Sequence, residues 1–161
     1  LPLLDPQRYK KGGFAVLYLS PKDYHRVHIP FASKIKHIRY LPGKLWPVFP
    51  AATRKIPSLF DRNERLVFGL DTQTGSAALV MVGAFGVGRM TSSFIDITCN
   101  TGLPGKEISL KKSLAAGEEL GAFELGSTVI LVWETEPTEW KIQQGKTIQL
   151  GEAIASFQQI G

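Results

Sequence analysis

The chain has 161 residues, of which 43% are hydrophobic and 20% charged, a size and composition that fit one globular domain with a buried core. Its formal net charge of +5 favours anionic partners such as phospholipid headgroups, to which each surface Lys or Arg adds about 1 kcal/mol of attraction. A single cysteine, Cys99, excludes an intrachain disulfide and a CxxC metal site, and no apolar run reaches the roughly 18 residues of a spanning helix.

Short apolar stretches, bounded by Gly, Pro, Asn or Asp, alternate with turns along the chain and predict strands. A short helix over residues 5–11 leads into the first strand, and residues 44–64 show no regular pattern. This spacing predicts a mainly β fold, a compact sandwich or barrel-like single domain with few short helices. The predicted strands are 14–19, 34–40, 65–70, 77–82, 128–133 and 152–157, with turns at 41–43, 71–75, 101–105 and 116–119.

The sequence Ser20-Pro21-Lys22-Asp23 predicts the start of a helix. Ser20 suits the N-cap, Pro21 the first helical position, and Asp23 the N3 position, from which a carboxylate reaches back to the cap. One helical turn would carry residues 24–26, and Pro30 would stop it.

The densest polar cluster follows, Tyr24-His25-Arg26-Val27-His28. In a helical turn, His25 and His28 would lie on one face, and imidazoles are the natural proton carriers near neutral pH. Zinc takes three or four ligands and His37 is the only other histidine, so we predict no metal. Two histidines with structural roles in a loop remain the alternative.

The run Gly83-Ala84-Phe85-Gly86-Val87-Gly88 lacks the GxGxxG spacing of a phosphate cradle. We therefore expect its glycines to allow close backbone packing beside an active site, and we predict no nucleotide site. Cys99 is expected to be a small buried hydrophobe.

The sequence Leu125-Gly126-Ser127-Thr128-Val129-Ile130-Leu131 sets a Gly-Ser bond at the start of a predicted buried strand. Glycine tolerates strained backbone, and the Ser127 hydroxyl lies close to the Gly126 carbonyl. An N→O acyl shift would convert the amide to an ester, and elimination would then cut the chain and leave an N-terminal pyruvoyl group at residue 127. Most such tripeptides are turns, so the prediction depends on the rest of the sequence.

The segment Tyr18-Leu19-Ser20-Pro21-Lys22-Asp23-Tyr24-His25-Arg26-Val27-His28-Ile29-Pro30 resembles a sequence block of the phosphatidylserine decarboxylase family. The resemblance covers essentially the whole chain, and the histidine block and the Gly-Ser-Thr motif occurring in order are highly specific. Further matches follow in the family's order: Leu41-Pro42-Gly43, Asn63-Glu64-Arg65, Val82-Gly83-Ala84 with Val87-Gly88, and residues 114–130.

The resemblance implies that residues 1–161 are the catalytic domain without an upstream segment, which in the family holds membrane-binding helices and the Asp of a Ser-His-Asp arrangement. No Asp of this sequence matches that residue. Cleavage between Gly126 and Ser127 would give a β chain, 1–126, and an α chain, 127–161, whose pyruvoyl cofactor derives from Ser127. His28 would be the base for cleavage, and His25 would act in decarboxylation.

The implied reaction converts phosphatidylserine to phosphatidylethanolamine and CO2 in phospholipid biosynthesis, with the ketone as electron sink. The expected partners are phosphatidylserine and an anionic membrane surface, without nucleic acid, and a homodimer stays open. The protein would be peripheral, on the cytoplasmic side of a bacterial cell membrane or on an organelle inner membrane in a eukaryote. Phe31, Ile35 and Phe85 are weak candidates for holding the lipid chain. The alternatives are a decarboxylase of a related aminophospholipid or small amino compound, and a non-catalytic all-β binding domain.

Overall fold

Antiparallel strands build two main sheets in the computed structural model, which describes residues 5–85, 89–97, 99, 104–124 and 126–158. Six strands form the larger sheet in the order β1-β9-β5-β4-β3-β7, three form a second sheet in the order β2-β8-β6, and β10 pairs with β11. The elements are β1 Phe14–Leu19, β2 Arg26–His28, β3 Ser33–Leu41, α1 Pro50–Lys55, α2 Leu59–Arg62, β4 Arg65–Thr72, β5 Gly75–Val82, β6 Met90–Ser92, β7 Lys106–Leu114, β8 Glu119–Phe123, β9 Ser127–Trp133, β10 Glu139–Trp140 and β11 Ala155–Ser156.

The core lies on one face of the larger sheet. Along β9, Ser127, Val129, Leu131 and Trp133 are buried, whereas alternate residues from position 130 on are only half-buried, because successive side chains of a strand point to opposite faces. Side chains of β8 and β6 join those of β4 and β5 in a single hydrophobic cluster, so the two sheets pack as a sandwich. Among the described residues, β1 and β7 pair on one side only, so the larger sheet stays open and does not close into a barrel.

The mainly β fold predicted from the sequence is confirmed. The predicted strand 14–19 is β1, and 34–40, 65–70, 77–82 and 128–133 lie within β3, β4, β5 and β9. The prediction for 152–157 is reduced to Ala155–Ser156, and the helix predicted over 5–11 is a 3-10 helix over Pro6–Tyr9, whose first turn is capped by the Asp5 side chain. Parts of the predicted turn 101–105 and of the glycine run 83–88 lie outside the described residues.

The helix predicted to start at Ser20 is wrong. The backbone N–H of Asp23 donates to the Ser20 carbonyl (2.9 Å), and the Asp23 carboxylate accepts from the Ser20 N–H (2.7 Å). These two bonds close a single turn and do not continue into a helix. The chain then enters β2, because the Phe123 N–H donates to the His25 carbonyl (2.9 Å) and Arg26 and Val27 pair with β8. The common helical face expected for the two histidines of this segment is therefore not formed.

Candidate active site

Ser127 is the first residue of β9 and is fully buried. It pairs with Leu19, the last residue of β1, and its neighbour Thr128 pairs with Val82, the last residue of β5. The Ser127 hydroxyl donates to the Val82 carbonyl. A hydroxyl has one proton, so this bond directs the proton toward Val82 and leaves the lone pairs of Oγ for attack on a carbonyl carbon.

Gly126 lies against the backbone that leaves β1. A Cβ at this position would be 2.6 Å from the Leu19 carbonyl oxygen, 2.8 Å from the Pro21 nitrogen and 2.8 Å from the Ser20 carbonyl carbon. These atoms are all backbone and have no rotamer with which to move aside. Glycine is therefore required here by close approach and not by a left-handed φ, which among the described glycines occurs at 75, 117, 145 and 151.

His28 ends β2 next to an irregularity in its pairing with β8, and both of its ring nitrogens have partners. Nδ1 lies 2.8 Å from the Gly117 carbonyl oxygen and Nε2 lies 2.8 Å from the Tyr24 hydroxyl, whose ring stacks on the imidazole. Because a carbonyl oxygen only accepts, Nδ1 carries the proton, and in the neutral ring Nε2 accepts from Tyr24. His28 is thus held in the tautomer whose Nε2 takes up protons.

His25 is half-buried just before β2. Its Nε2 is buried and has no hydrogen-bond partner among the described residues. A buried ring nitrogen without a partner is costly to the fold. Both ring nitrogens of His37 also lack a partner among the described residues, so this feature does not by itself identify a functional group.

The three predicted site residues belong to different parts of the fold: Ser127 begins β9 of the larger sheet, His28 ends β2 of the three-stranded sheet, and His25 directly precedes β2. Within the described residues, neither histidine hydrogen-bonds to Ser127, because the Ser127 hydroxyl donates to Val82 and the His28 nitrogens bond Gly117 and Tyr24. The roles given to both histidines therefore stay predictions.

The three candidates for lipid contact lie in different surroundings. Ile35 is fully buried in the core, Phe31 packs against that core, and the Phe85 side chain is 80% exposed. Of these side chains, Phe85 presents the largest apolar surface to a ligand.

Sequence reasoning missed a buried polar network beside Val82. Asn63 and Glu64 are 0% and 3% exposed, and the Tyr40 hydroxyl donates to the Glu64 carboxylate. Asn63 donates to the carbonyl of Gly83, the residue after Val82 (2.9 Å). The adjacent polar pair directly before the apolar run of β4 was the available signal.

Two other ionisable side chains are buried. Burial raises the pKa of the Cys99 thiol to about 11, and this thiol donates to the Met90 carbonyl, as expected of an inert buried cysteine. Burial lowers the pKa of His37, which packs against Gly69 on the larger sheet. The described residues contain no group of three or more His, Cys, Asp or Glu that could hold a metal ion.

Comparison with known proteins gives a consistent result. The phosphatidylserine decarboxylase family model matches residues 2–156. The chain is 43% identical over 147 residues to the phosphatidylserine decarboxylase proenzyme of Myxococcus xanthus, covering 89% of this chain and 52% of that protein. It is 43% identical over 154 residues to that of Anaeromyxobacter sp. (91% and 55%) and 42% identical over 156 residues to that of Legionella pneumophila (92% and 55%). The chain thus spans about half the length of the curated relatives it matches.

Proposed function

Because this chain belongs to the phosphatidylserine decarboxylase family, we propose that the protein cuts itself between Gly126 and Ser127 and then decarboxylates phosphatidylserine to phosphatidylethanolamine and CO2. The observation that carries the proposal is the buried Ser127 hydroxyl at the start of β9, next to a glycine whose position admits no side chain. The products of the cut are chains 1–126 and 127–161 of this sequence.

Self-cleavage uses atoms that lie on either side of one peptide bond. Ser127 Oγ attacks the Gly126 carbonyl carbon, so that a C–O bond replaces the C–N bond and the hydroxyl proton ends on the nitrogen of residue 127. Removal of the Cα proton of residue 127 then breaks its Cβ–Oγ bond, and Gly126 leaves as a carboxylate. Tautomerisation and attack by water release ammonia and leave a pyruvoyl group at residue 127.

The residues at this position fit such a group. Residue 127 is fully buried, which shields a ketone from water. When present, the group supplies a carbonyl that binds the amine of the serine headgroup and accepts the electrons released with CO2.

His28 and His25 supply the proton transfers. The Nδ1–H of His28 donates to the Gly117 carbonyl, which leaves Nε2 as the proton acceptor, as a general base for the Ser127 hydroxyl requires. Before it can act, Nε2 has to exchange the Tyr24 hydroxyl for that of Ser127, and the Ser127 proton has to turn from the Val82 carbonyl to Nε2. His25, with its unpartnered Nε2, is the proton donor to the substrate carbon after CO2 leaves.

We also propose a peripheral association with anionic membranes, on the cytoplasmic side of the cell membrane in a bacterium. No helix among the described residues is long and apolar enough to cross a bilayer, and the net charge of +5 attracts anionic headgroups. Such binding weakens as salt screens the charges.

Release of CO2 from carboxyl-labelled phosphatidylserine, measured together with the extent of the cut on a gel, tests the function in the natural full-length protein. His28→Ala is expected to stay uncut and inactive, because no base activates Ser127. His25→Ala is expected to be cut yet to lose about 10²–10⁴-fold in turnover, the usual contribution of general acid–base catalysis.

Wild-type protein that releases no CO2 from phosphatidylserine contradicts the proposed substrate, and a parallel reaction with soluble amino acids then tests the small-amine alternative. Normal cleavage of His28→Ala contradicts the assignment of the base. Equal behaviour of the two variants in both assays contradicts the division of roles.

A further inference from the structure

Asn63 and Glu64, which are consecutive in the sequence, hydrogen-bond to the two backbone polar groups of Gly83. The Gly83 N–H donates to the Glu64 backbone carbonyl (2.8 Å), and the Gly83 carbonyl accepts from Asn63 Nδ2 (2.9 Å). The same Asn63 amide bonds the backbone of Trp46 twice, through Nδ2 to its carbonyl (2.8 Å) and through Oδ1 from its N–H (3.1 Å). One fully buried side chain therefore joins three separate segments with three hydrogen bonds.

This network reaches Ser127 through a single peptide group. The carbonyl that accepts the Ser127 hydroxyl belongs to Val82, and it shares a planar peptide with the Gly83 N–H that donates to Glu64. Fixing Gly83 on both sides therefore fixes the direction of the Val82 carbonyl. The carbonyl to which the Ser127 hydroxyl hydrogen-bonds is therefore held in place by Asn63 and Glu64, neither of which has a described hydrogen bond to Ser127.

The packing around Gly83 leaves little room for this peptide to move. A Cβ at Gly83 would be 3.2 Å from a Leu45 methyl carbon, 3.3 Å from the Glu64 carbonyl oxygen and 3.4 Å from the Glu64 carboxylate. That carboxylate accepts from the buried Tyr40 hydroxyl. Hydrogen bonds and packing thus act on the same peptide.

We propose that Asn63 is a positioning residue for self-cleavage, acting through the Val82–Gly83 peptide to hold Ser127 Oγ beside the Gly126 carbonyl until His28 takes its proton. This rests on the proposed function. The role is needed only while residue 127 carries its hydroxyl, because Oγ departs with the Gly126 carboxylate when the chain is cut. Loss of Asn63 therefore slows cleavage more than it slows turnover per cut molecule.

The test measures the first-order rate of self-cleavage and the CO2 released per pyruvoyl group in the full-length protein. Asn63→Ala is expected to cleave about 10²-fold more slowly, as an ångström-scale displacement of a reacting group does. The factor by which CO2 release per pyruvoyl group falls is expected to be at least ten times smaller than the factor by which the cleavage rate falls. Gly83→Ala, which keeps Asn63 but crowds the same peptide, is expected to show the same separation.

Thr72→Ala is the matched control, because the Thr72 hydroxyl donates to the Gly75 carbonyl (2.6 Å) and accepts from the Thr74 N–H (3.2 Å) at the opposite end of β4 and β5. Thr72→Ala removes side-chain to backbone hydrogen bonds of the same kind but leaves the Val82–Gly83 peptide unchanged. Measured well below the unfolding temperatures of both proteins, the cleavage rate of Thr72→Ala should stay within about threefold of wild type.

The proposal is overturned if Asn63→Ala cleaves as fast as Thr72→Ala, or if its cleavage and turnover fall by the same factor. Should Asn63→Ala fail to fold, Gly83→Ala decides by the same two criteria. If the wild-type protein does not cut itself, the proposed function itself is overturned. This outcome is seen in the wild type without any variant, so it is distinguishable from failure of the role proposed for Asn63.

Discussion

Replacing Gly126 by alanine tests whether the scissile bond depends on the close backbone approach at the start of β9. The added methyl would lie 2.6–2.8 Å from three backbone atoms of residues 19–21, whereas ordinary contacts between such atoms begin near 3.4 Å. The backbone has to separate by somewhat less than about 1 Å, and overpacking of this kind costs roughly 1–3 kcal/mol of unfolding free energy.

That displacement also moves the reacting atoms. The Gly126 carbonyl carbon would shift relative to Ser127 Oγ, whose direction is fixed by the Val82 carbonyl. A misplacement of about 1 Å lowers the rate of a positioned reaction by about 10²-fold. We therefore expect Gly126→Ala to fold with reduced stability and to cut itself about 10²-fold more slowly than wild type.

The assay follows the loss of uncut chain on a gel after synthesis of the full-length protein, with thermal unfolding measured on the same samples. Gly145→Ala is the control, because Gly145 has a φ of +80° and an added methyl there would meet no atom of the described residues within 4 Å, so it loses stability through backbone strain without crowding the site. Cleavage of Gly126→Ala at the wild-type rate, or slowing of both variants alike, would refute the reasoning.

Two further predictions concern buried ionisable groups. Burial lowers the pKa of His37 below the usual 6.5, so the unfolded chain binds a proton that the folded chain excludes, and the stability from neutral His37 is present above pH 6.5 and lost as the pH falls below it. His37→Phe keeps a ring over Gly69 but removes the titrating group. Between about pH 7.5 and about pH 5.5 its unfolding temperature should therefore fall less than that of wild type. An equal fall in both proteins would show that protonation of His37 does not control stability in this range. Burial raises the pKa of Cys99 from 9.0 to about 11, so its thiolate fraction at pH 8 is about 100-fold lower in the folded chain. Its reaction with a disulfide reagent should be at least about 100-fold slower in the folded than in the urea-unfolded chain, because the thiolate is the reacting species. Similar rates in the two states would contradict the burial of Cys99.

The strand predicted with its exact bounds is β1, an edge strand, and the four strands inside the larger sheet were predicted to within two residues at each end. β4, β5 and β9 carry long apolar runs because they lie inside the larger sheet, where both neighbours are strands. β7 escaped prediction because it is mostly exposed and its lysines and serines do not form an apolar pattern. The short strands β2, β6 and β8 depend on pairing with one another, which no local pattern records.

The contacts around the candidate site residues could not be predicted from the sequence, and the roles of those residues stay predictions. The Asp23 carboxylate does accept from the Ser20 N–H, as expected of a helix start, but the Asp23 N–H donates to the Ser20 backbone carbonyl and not to its side chain. Pairing with β8 then draws the following residues into a strand. The bonds of Asn63 join positions 46, 63 and 83, which only the folded chain brings together. The requirement for glycine at 126 likewise comes from the backbone of β1, more than 100 residues earlier in the sequence.

The intact mass of the purified full-length protein tests self-cleavage most directly. Cleavage at Gly126 predicts two polypeptides, the second beginning at residue 127 and lighter by one ammonia than a chain that begins with serine. This polypeptide should gain mass with hydroxylamine, which reacts with a ketone. A single uncut chain, in a preparation that releases CO2 from phosphatidylserine, would contradict self-cleavage at Gly126–Ser127 as the origin of the activity.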